Sequence, residues 1–502
     1  MYRHIAFSIA AVLFAAPVLA QSGTMPLTLA DAERRALDKN PQIAQARLDT
    51  AAADYSIAQG KAAYSPSLSV SMAQRSQTSP ATSQLAGGQS SVSTDALTYS
   101  TGVTQQLPWG GGRLSVDFTG NRNATSNVFS TFNPSFSSSI NATMTQPLLR
   151  GFNIDATRAQ IEQADISRDI ADAGLRQQMA RTLNSVRHAY WELVYAVDAL
   201  DTARRSEDLA TRQLDDNRVR VQLGTVAPID IVESEAEVAS RHQAVIKAEG
   251  AFRTAQVALK QLMVSDTNDA IWTATLQPVD RPLQGSRVIN VEQAISNAVA
   301  NRTDLAVARK QTRLSDTSLK LLDDQRKPAV DLVASYSANG IGGTRILRGD
   351  LGSDVTGTIP GGYLDVLRSI GALDYPTWSV GVNVTVPLGK KAADAAYARG
   401  QVAKRQAELQ VNTLELQSAA DVLRAAEAVR TAEEQVQAAA AARQLAQKRL
   451  EAEQTRRTAG LSTTFLVSQA QRDLAAAEDT ELRAQLDYRT ALADFDLAQE
   501  AP

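Results

Sequence analysis

The sequence predicts an α+β chain that joins strands of a membrane barrel to very long coiled-coil helices, with the whole arrangement present twice. Three observations predict it: an internal repeat, stretches where apolar and uncharged polar residues alternate, and apolar seams at helical spacing. Leu29-Ala30-Asp31-Ala32 and the later Asn40-Pro41-Gln42-Ile43 align with Val291-Glu292-Gln293-Ala294 and Arg302-Thr303-Asp304-Leu305. At the same offset Pro66-Ser67-Leu68 meets Pro328-Ala329-Val330; later Thr145-Gln146-Pro147-Leu148 matches Thr385-Val386-Pro387-Leu388, and Gly224 matches Gly460. One repeat therefore occupies 21–264 and the other 290–500, with 265–289 as a linking segment marked by Asp266, Asn268, Pro278 and Pro282.

Each repeat opens on a helix, over 27–63 and 290–325, and then changes period. Leu68, Val70 and Met72 alternate with Ser67, Ser69 and Ser71, and further two-residue periods run through Tyr99–Gln105, Leu114–Phe118, Ile140–Met144 and Trp378–Val386. An apolar face opposite a face of Ser, Thr, Asn and Gly over about 9–11 residues suits a strand with lipid on one side and water on the other. Four strands are expected over about 66–146 and two over about 328–387, joined by long Gly/Ser/Thr/Asn-rich loops at 77–97, 125–136 and 338–375 and by a tight turn at Pro108-Trp109-Gly110-Gly111-Gly112. Trp109 is placed for a headgroup position. A soluble sandwich would also use such alternation; the long loops at one end and short turns at the other favour the barrel.

Helices then take over. Leu175, Met179, Leu183, Val186, Tyr190, Leu193, Val197 and Leu200 form a 3.5-residue seam within 155–222, and Val422, Ala425, Val429, Ala432, Val436 and Ala439 form its counterpart within 391–458. At 1.5 Å per residue each helix would extend roughly 100 Å. Shorter helices follow at 228–264 and 462–500.

Composition narrows the function. Lys and Arg number 51 against 54 Asp and Glu, which argues against a nucleic-acid partner. With no cysteine, disulfides, thiolate zinc sites and cysteine nucleophiles are excluded. His188 and His242 each lack a second histidine at ligand spacing, and Gly110-Gly111-Gly112 and Gly342-Gly343 lack the lysine and hydroxyl residue of a phosphate cradle and read as turns. No catalytic residue, cofactor or metal site is expected. Arg3 and His4 followed by an apolar run and Val18-Leu19-Ala20 read as a secretory signal over 1–20, and the absence of cysteine after the cut argues against a lipoprotein.

The Leu-Ala-Asp-Ala and Asn-Pro-Gln pattern, Gln146-Pro147-Leu148-Leu149-Arg150-Gly151, Ala189-Tyr190-Trp191-Glu192-Leu193, and Gly224 followed by Asp230-Ile231 resemble the TolC-type outer-membrane efflux protein family across essentially the whole mature chain. The resemblance implies a homotrimer in the bacterial outer membrane, its strands in one lipid-embedded barrel and its helices in one periplasmic tunnel. It implies a passive exit duct for a tripartite efflux or type I secretion system, with a periplasmic adaptor (membrane fusion) protein and an inner-membrane RND or ABC transporter as partners. The hairpin over about 98–120 departs from the two strands per repeat usual in the family; six strands per protomer would give eighteen in the trimer rather than twelve.

Two helical hairpin tips are the candidate functional elements. Gly224-Thr225-Val226-Ala227-Pro228 and Gly460-Leu461-Ser462-Thr463-Thr464 reverse the chain, glycine suiting the helix stop, proline the first turn of the next helix and hydroxyls its cap. Gly224, Thr225, Pro228, Gly460, Leu461 and Ser462 are the expected adaptor-docking positions. The resemblance implies a gate at the sixth and ninth positions after the second tip glycine, which here are Leu466 and Gln469; the equivalent positions after the first hold Asp230 and Glu233. Rings of carboxylate would favour cations, while the same acids would in any case complement the positive end of their own helix. A periplasmic coiled-coil scaffold uses only the helices, and a cell-surface structural protein uses only the strands.

Overall fold

A computed structural model describes residues 24–82, 88–281, 287–349, 354–389 and 391–500. The expected signal segment, 1–20, and Pro282 lie outside the described residues. The chain runs β1 (Thr24–Leu27), α1 (Leu29–Lys39), α2 (Pro41–Ala62), β2 (Ser67–Pro80), β3 (Ser91–Gln106), β4 (Arg113–Thr125), β5 (Phe132–Pro147), α3 (Ala156–Gln222) and α4 (Ile229–Leu262). It continues through β6 (Thr275–Pro278), α5 (Val291–Asn301), α6 (Thr303–Gln325), β7 (Ala329–Arg348), β8 (Val355–Ile359), α7 (Tyr363–Ala372), β9 (Tyr375–Thr385), α8 (Lys391–Thr458) and α9 (Thr464–Gln499). A helix pair, strands, a helix of 67 or 68 residues and a helix of about half that length thus occur twice in the same order.

The expected single helices at 27–63 and 290–325 are each broken in two. Asn40 is extended (ψ 125°) because Pro41 disfavours helical backbone before it, and the Asn40 Oδ1 then accepts the Gln42 amide at 2.9 Å. No proline marks the second break. There Arg302 leaves the helical conformation (ψ 126°), its guanidinium paired with Asp304 at 2.7 Å and Asp421 at 3.2 Å, while the Thr303 amide and hydroxyl donate to the Glu500 carboxylate at 2.7 and 2.8 Å.

The described chain packs as two compact units. One comprises residues up to 48 with 173–305 and from 414 onward. Its first core gathers Leu27, Val186, Tyr190, Leu193, Leu259, Met263 and Leu276, and its second gathers Ala294, Ala298, Val422, Val429, Tyr488 and Phe495. Alanines in the second core let helices approach closely, and each large side chain in the first contributes roughly 1.5–3 kcal/mol by leaving water. The linking segment is packed rather than open: Ala270–Trp272 form a 3₁₀ turn, β6 pairs in parallel with β1, and Ile271 and Leu276 are buried. Four-residue strands are too short for a two-residue period to stand out, so the sequence offered no sign of this pairing.

The other unit comprises 49–172 and 306–413. Its helical parts are tied by polar contacts, with Lys310 at 2.6 Å from Asp169, Thr317 donating to Glu162 at 2.9 Å and Lys404 at 2.7 Å from Asp316. Its strands form one antiparallel sheet in the order β2-β3-β4-β5-β7, with β9 on the far side of β7 and the short β8 pairing the end of β7. Four long strands precede α3 and two follow α6, as the alternation predicts, while β8 is a further short strand that it did not foresee. The stretch 338–375 is not one long loop: β7 continues to Arg348, and β8 and α7 occupy much of the remainder of the described residues. Nor is Gly342-Gly343 a turn. Both lie inside β7, where Gly343 (φ +130°) sits at a register shift and a Cβ would fall 2.1 Å from the Pro134 carbonyl oxygen. Gly110 and Gly111, with φ +64° and +67°, do turn the chain between β3 and β4, and Trp109 stands exposed there.

Candidate functional site

Two surfaces carry the functional expectations: the faces of the sheet and the two helical tips. Cross-strand register sorts the sheet's side chains cleanly. Leu68, Val103, Val116, Ala142, Tyr336 and Trp378 follow one another across the six strands on one face, and Val380 and Val382 extend that face along β9. The opposite face holds a ladder of hydroxyls, with Ser71–Ser100 at 2.8 Å, Thr119–Ser139 at 2.7 Å and Ser335–Ser379 at 2.8 Å. Asp117 and Asn141 lie on this polar side, and Gly102 leaves room for the Asp117 carboxylate, which a Cβ would meet at 2.1 Å. Among the described residues no helix is long and apolar enough to cross a membrane.

Local chemistry sets each tip. Gly224 (φ +70°) occupies backbone space that a side chain would strain; its N–H donates to Val221 O at 3.0 Å, and the Thr225 amide and hydroxyl both donate to Arg220 O at 2.9 and 3.0 Å. Pro228 then enters α4, where a missing N–H costs nothing. At the second tip Gly460 (φ +76°) donates to Arg457 O and Leu461 to Arg456 O, and the Leu461 side chain is 80% exposed. The cap of α9 is Thr463, which accepts the Leu466 amide at 3.3 Å; Ser462 instead donates to Glu453 at 2.6 Å.

The four expected gate residues fall into two sets. Asp230 and Glu233 line a cleft of about 320 Å³ together with Ser234, Glu237, Arg241, Phe465 and Arg472, whereas Leu466 and Gln469 are absent from its lining. Glu237 ties the hairpins together, held by Arg241 at 2.7 Å and by Arg472 at 2.8 Å. A polar stitch lies alongside: Asn217 donates to Ser234 at 2.8 Å, and Ser234 donates to Asp230 O at 2.7 Å. Asp230 stands in the first turn of α4, where the positive helix end favours a carboxylate. The sequence reading missed Arg472 and Phe465, whose α9 positions carried no spacing that tied them to the other hairpin.

The comparisons with known proteins agree with this geometry. The sequence matches the outer membrane efflux protein family over residues 113–264 and 294–498. The chain belongs to that family. No curated protein sequence matches significantly. Among solved structures, a membrane protein from Pseudomonas aeruginosa shares 17% identity with a TM-score of 0.66, covering 97% of each chain. VceC, an outer membrane protein from Vibrio cholerae, shares 14% identity with a TM-score of 0.63 over 94% of this chain and 95% of its own. The Campylobacter jejuni CmeC outer membrane channel shares 14% with a TM-score of 0.62 over 94% and 85%. At these identities the likeness is one of fold, and the fold is TolC-like.

The described residues hold no cluster of three or more His, Asp or Glu able to bind a metal. His188 lies instead against Asp494 at 2.8 Å, which Asn184 also approaches at 2.8 Å. The hydrogen bond to Asp494 raises the imidazole above its ordinary value, and Asp494 is held below the usual carboxylate range by His188 and Asn184 against the opposing effect of burial. The raised histidine contributes stability below about pH 6.5 that is lost as pH rises through its folded value; the depressed aspartate contributes above about pH 4 and loses its share on acidification. His188→Gln is thus expected to be most destabilising, by less than about 1 kcal/mol for so exposed a pair, between about pH 4 and 6.5. Thermal unfolding of both proteins across pH 4–9 checks this, and a difference that grows towards pH 9 would contradict it.

Proposed function

We propose that three copies of this chain close their sheets into a single barrel through the outer membrane, with the helices in the periplasm as one tunnel, and that the assembly is a passive exit duct. The carrying observation is the antiparallel sheet of six long strands and the short β8, with one apolar and one hydroxyl-rich face, in which β2 and β9 each leave one edge unpaired among the described residues of one copy. An open edge is untenable in hydrocarbon, where every backbone N–H and C=O needs a partner. Pairing β9 of one copy with β2 of the next satisfies both edges and makes eighteen strands. At a strand spacing near 4.8 Å and a tilt near 40°, eighteen strands give a backbone diameter of about 36 Å, about 1.5 times that of twelve.

Transport is driven by an inner-membrane RND or ABC transporter coupled through a periplasmic adaptor protein, either for tripartite efflux or for type I secretion. The adaptor docks at the tips, where Gly224, Thr225, Pro228, Gly460, Leu461 and Ser462 form the chain reversals. Asp230, Glu233, Leu466 and Gln469 shape the periplasmic entrance, the two acids supplying its cation preference. The recurrence of helix pair, strands, long helix and shorter helix supports two duplicated repeats, 21–264 and 290–500, joined through 265–289. Extraction from outer membranes as a heat-dissociable trimer that conducts in planar bilayers tests the assembly; a monomer without conductance refutes it. In the same bilayers Asp230→Asn with Glu233→Gln should bring the cation-to-anion permeability ratio several-fold closer to one, and an unchanged ratio removes both residues from the entrance.

A further inference from the structure

Helix α7 rests on the apolar face of the sheet, the face assigned above to lipid. Val366 and Ile370 are buried against Ala338, with Phe118 and Phe136 beside them. The sheet is shaped for this contact. Gly120, Ser138 and Gly340 occupy one cross-strand row, and Gly342 follows on the same face. A Cβ at Gly340 would lie 2.5 Å from the Val366 carbonyl oxygen, and one at Gly342 would lie 3.0 Å from the Val366 side chain. The Tyr363 ring meets Tyr99 and Phe136 edge-on at 6.0 and 6.2 Å.

The helix covers apolar surface and presents more in its place. Leu364 is 73% exposed, Leu367 39% and Leu373 51%. Leu373 ends the helix in the left-handed conformation (φ 57°), at a cost of about 1–2 kcal/mol that glycine would avoid, so an uncovered leucine is held there in strain. The helix ends carry partners for their polar groups: Gly362 N–H donates to the Asp365 carboxylate at 2.9 Å, and the Leu373 and Asp374 amides return to Ile370 O and Ser369 O. Apart from a closed sheet, a helix is the one backbone arrangement that hydrocarbon tolerates.

We infer that α7 is a lipid-contacting strap on the outer wall of the barrel, its Leu364, Leu367 and Leu373 covered by acyl chains that continue the contact made by Trp378, Val380 and Val382, with the Arg368 guanidinium paired to Asp365 at 3.4 Å on its polar side. This rests on the barrel assignment. Because the chain contains no cysteine, single substitutions can be labelled uniquely. Leu364→Cys, Leu367→Cys, Val380→Cys and Ser379→Cys in the full-length protein, each carrying a nitroxide and reconstituted in phosphatidylcholine vesicles, are compared for collisions with oxygen and with a water-soluble nickel chelate. The labels at 364, 367 and 380 should favour oxygen and the label at 379 nickel. Nickel preference at 364 and 367 with oxygen preference at 380 overturns the strap alone; nickel preference at 380 overturns the barrel reading beneath it. Adding Gly340→Leu should displace the helix and reverse the preference at 367 while leaving that at 380 unchanged.

Discussion

Val382→Arg is expected to abolish accumulation of the proposed trimer in the outer membrane, whereas Asn383→Arg, one residue further along β9, is expected to assemble and alter only the conductance. The two positions differ in side-chain direction: Val382 pairs across the sheet with Leu332 on the apolar face, and Asn383 pairs with Asp331 on the polar one. An arginine facing the bilayer midplane costs about 2–4 kcal/mol per copy, and a trimer would bear it three times. Arginine on the water side meets no such penalty and adds a cation opposite Asp331, lowering cation preference. Outer-membrane fractions run unheated on denaturing gels, followed by single-channel recording of the Asn383 variant, provide the measurement. Equal tolerance at the two sites would mean that β9 does not divide lipid from water.

The contrast between Val382 and Asn383 was legible in the sequence because a two-residue period survives translation into structure unchanged. The long helices were equally legible: the seam residues Val186, Tyr190, Leu193, Val422 and Val429 are buried. Features built from few residues or from distant ones escaped. The break at Arg302 has no proline and depends on Glu500, whose carboxylate takes the place of a local cap. Helix α7 carries Tyr363, Val366, Leu367 and Ile370 at helical spacing, but its ten residues sit in a glycine-rich stretch where that signal is easily passed over. Of the four residues proposed for the entrance, Asp230 and Glu233 line one cleft and Leu466 and Gln469 lie off it, a grouping the sequence did not show.

Tyr190→Ala should produce the largest stability loss of any single change in the helical unit, about 3–5 kcal/mol, with Tyr190→Phe costing about 1–3 kcal/mol. The ring is completely buried and meets Trp191 edge-on at 5.6 Å. Its hydroxyl donates to Leu27 O at 3.0 Å and lies 2.9 Å from the Asp280 carboxylate, which also receives the Leu29 amide at 2.6 Å. One side chain thus fastens the end of β1, the start of α1 and the residues after β6, a ribbon of only four residue pairs that has little cohesion of its own. Alanine leaves both a cavity and unpaired polar groups; phenylalanine leaves only the latter. Burial pushes the phenol up to about 12, so its contribution is complete below about pH 10 and is lost as pH rises towards 12. Tyr195, pushed up to about 12 by burial and Asp479, titrates over the same range, so phenylalanine at 190 should reduce the alkaline loss without removing it. Limited proteolysis with intact-mass analysis, repeated from pH 8 to 11.5, should show cleavage near residues 24–29 far sooner in Tyr190→Ala than in the parent. Indistinguishable cleavage would place the anchorage of β1 in the strand pairing itself.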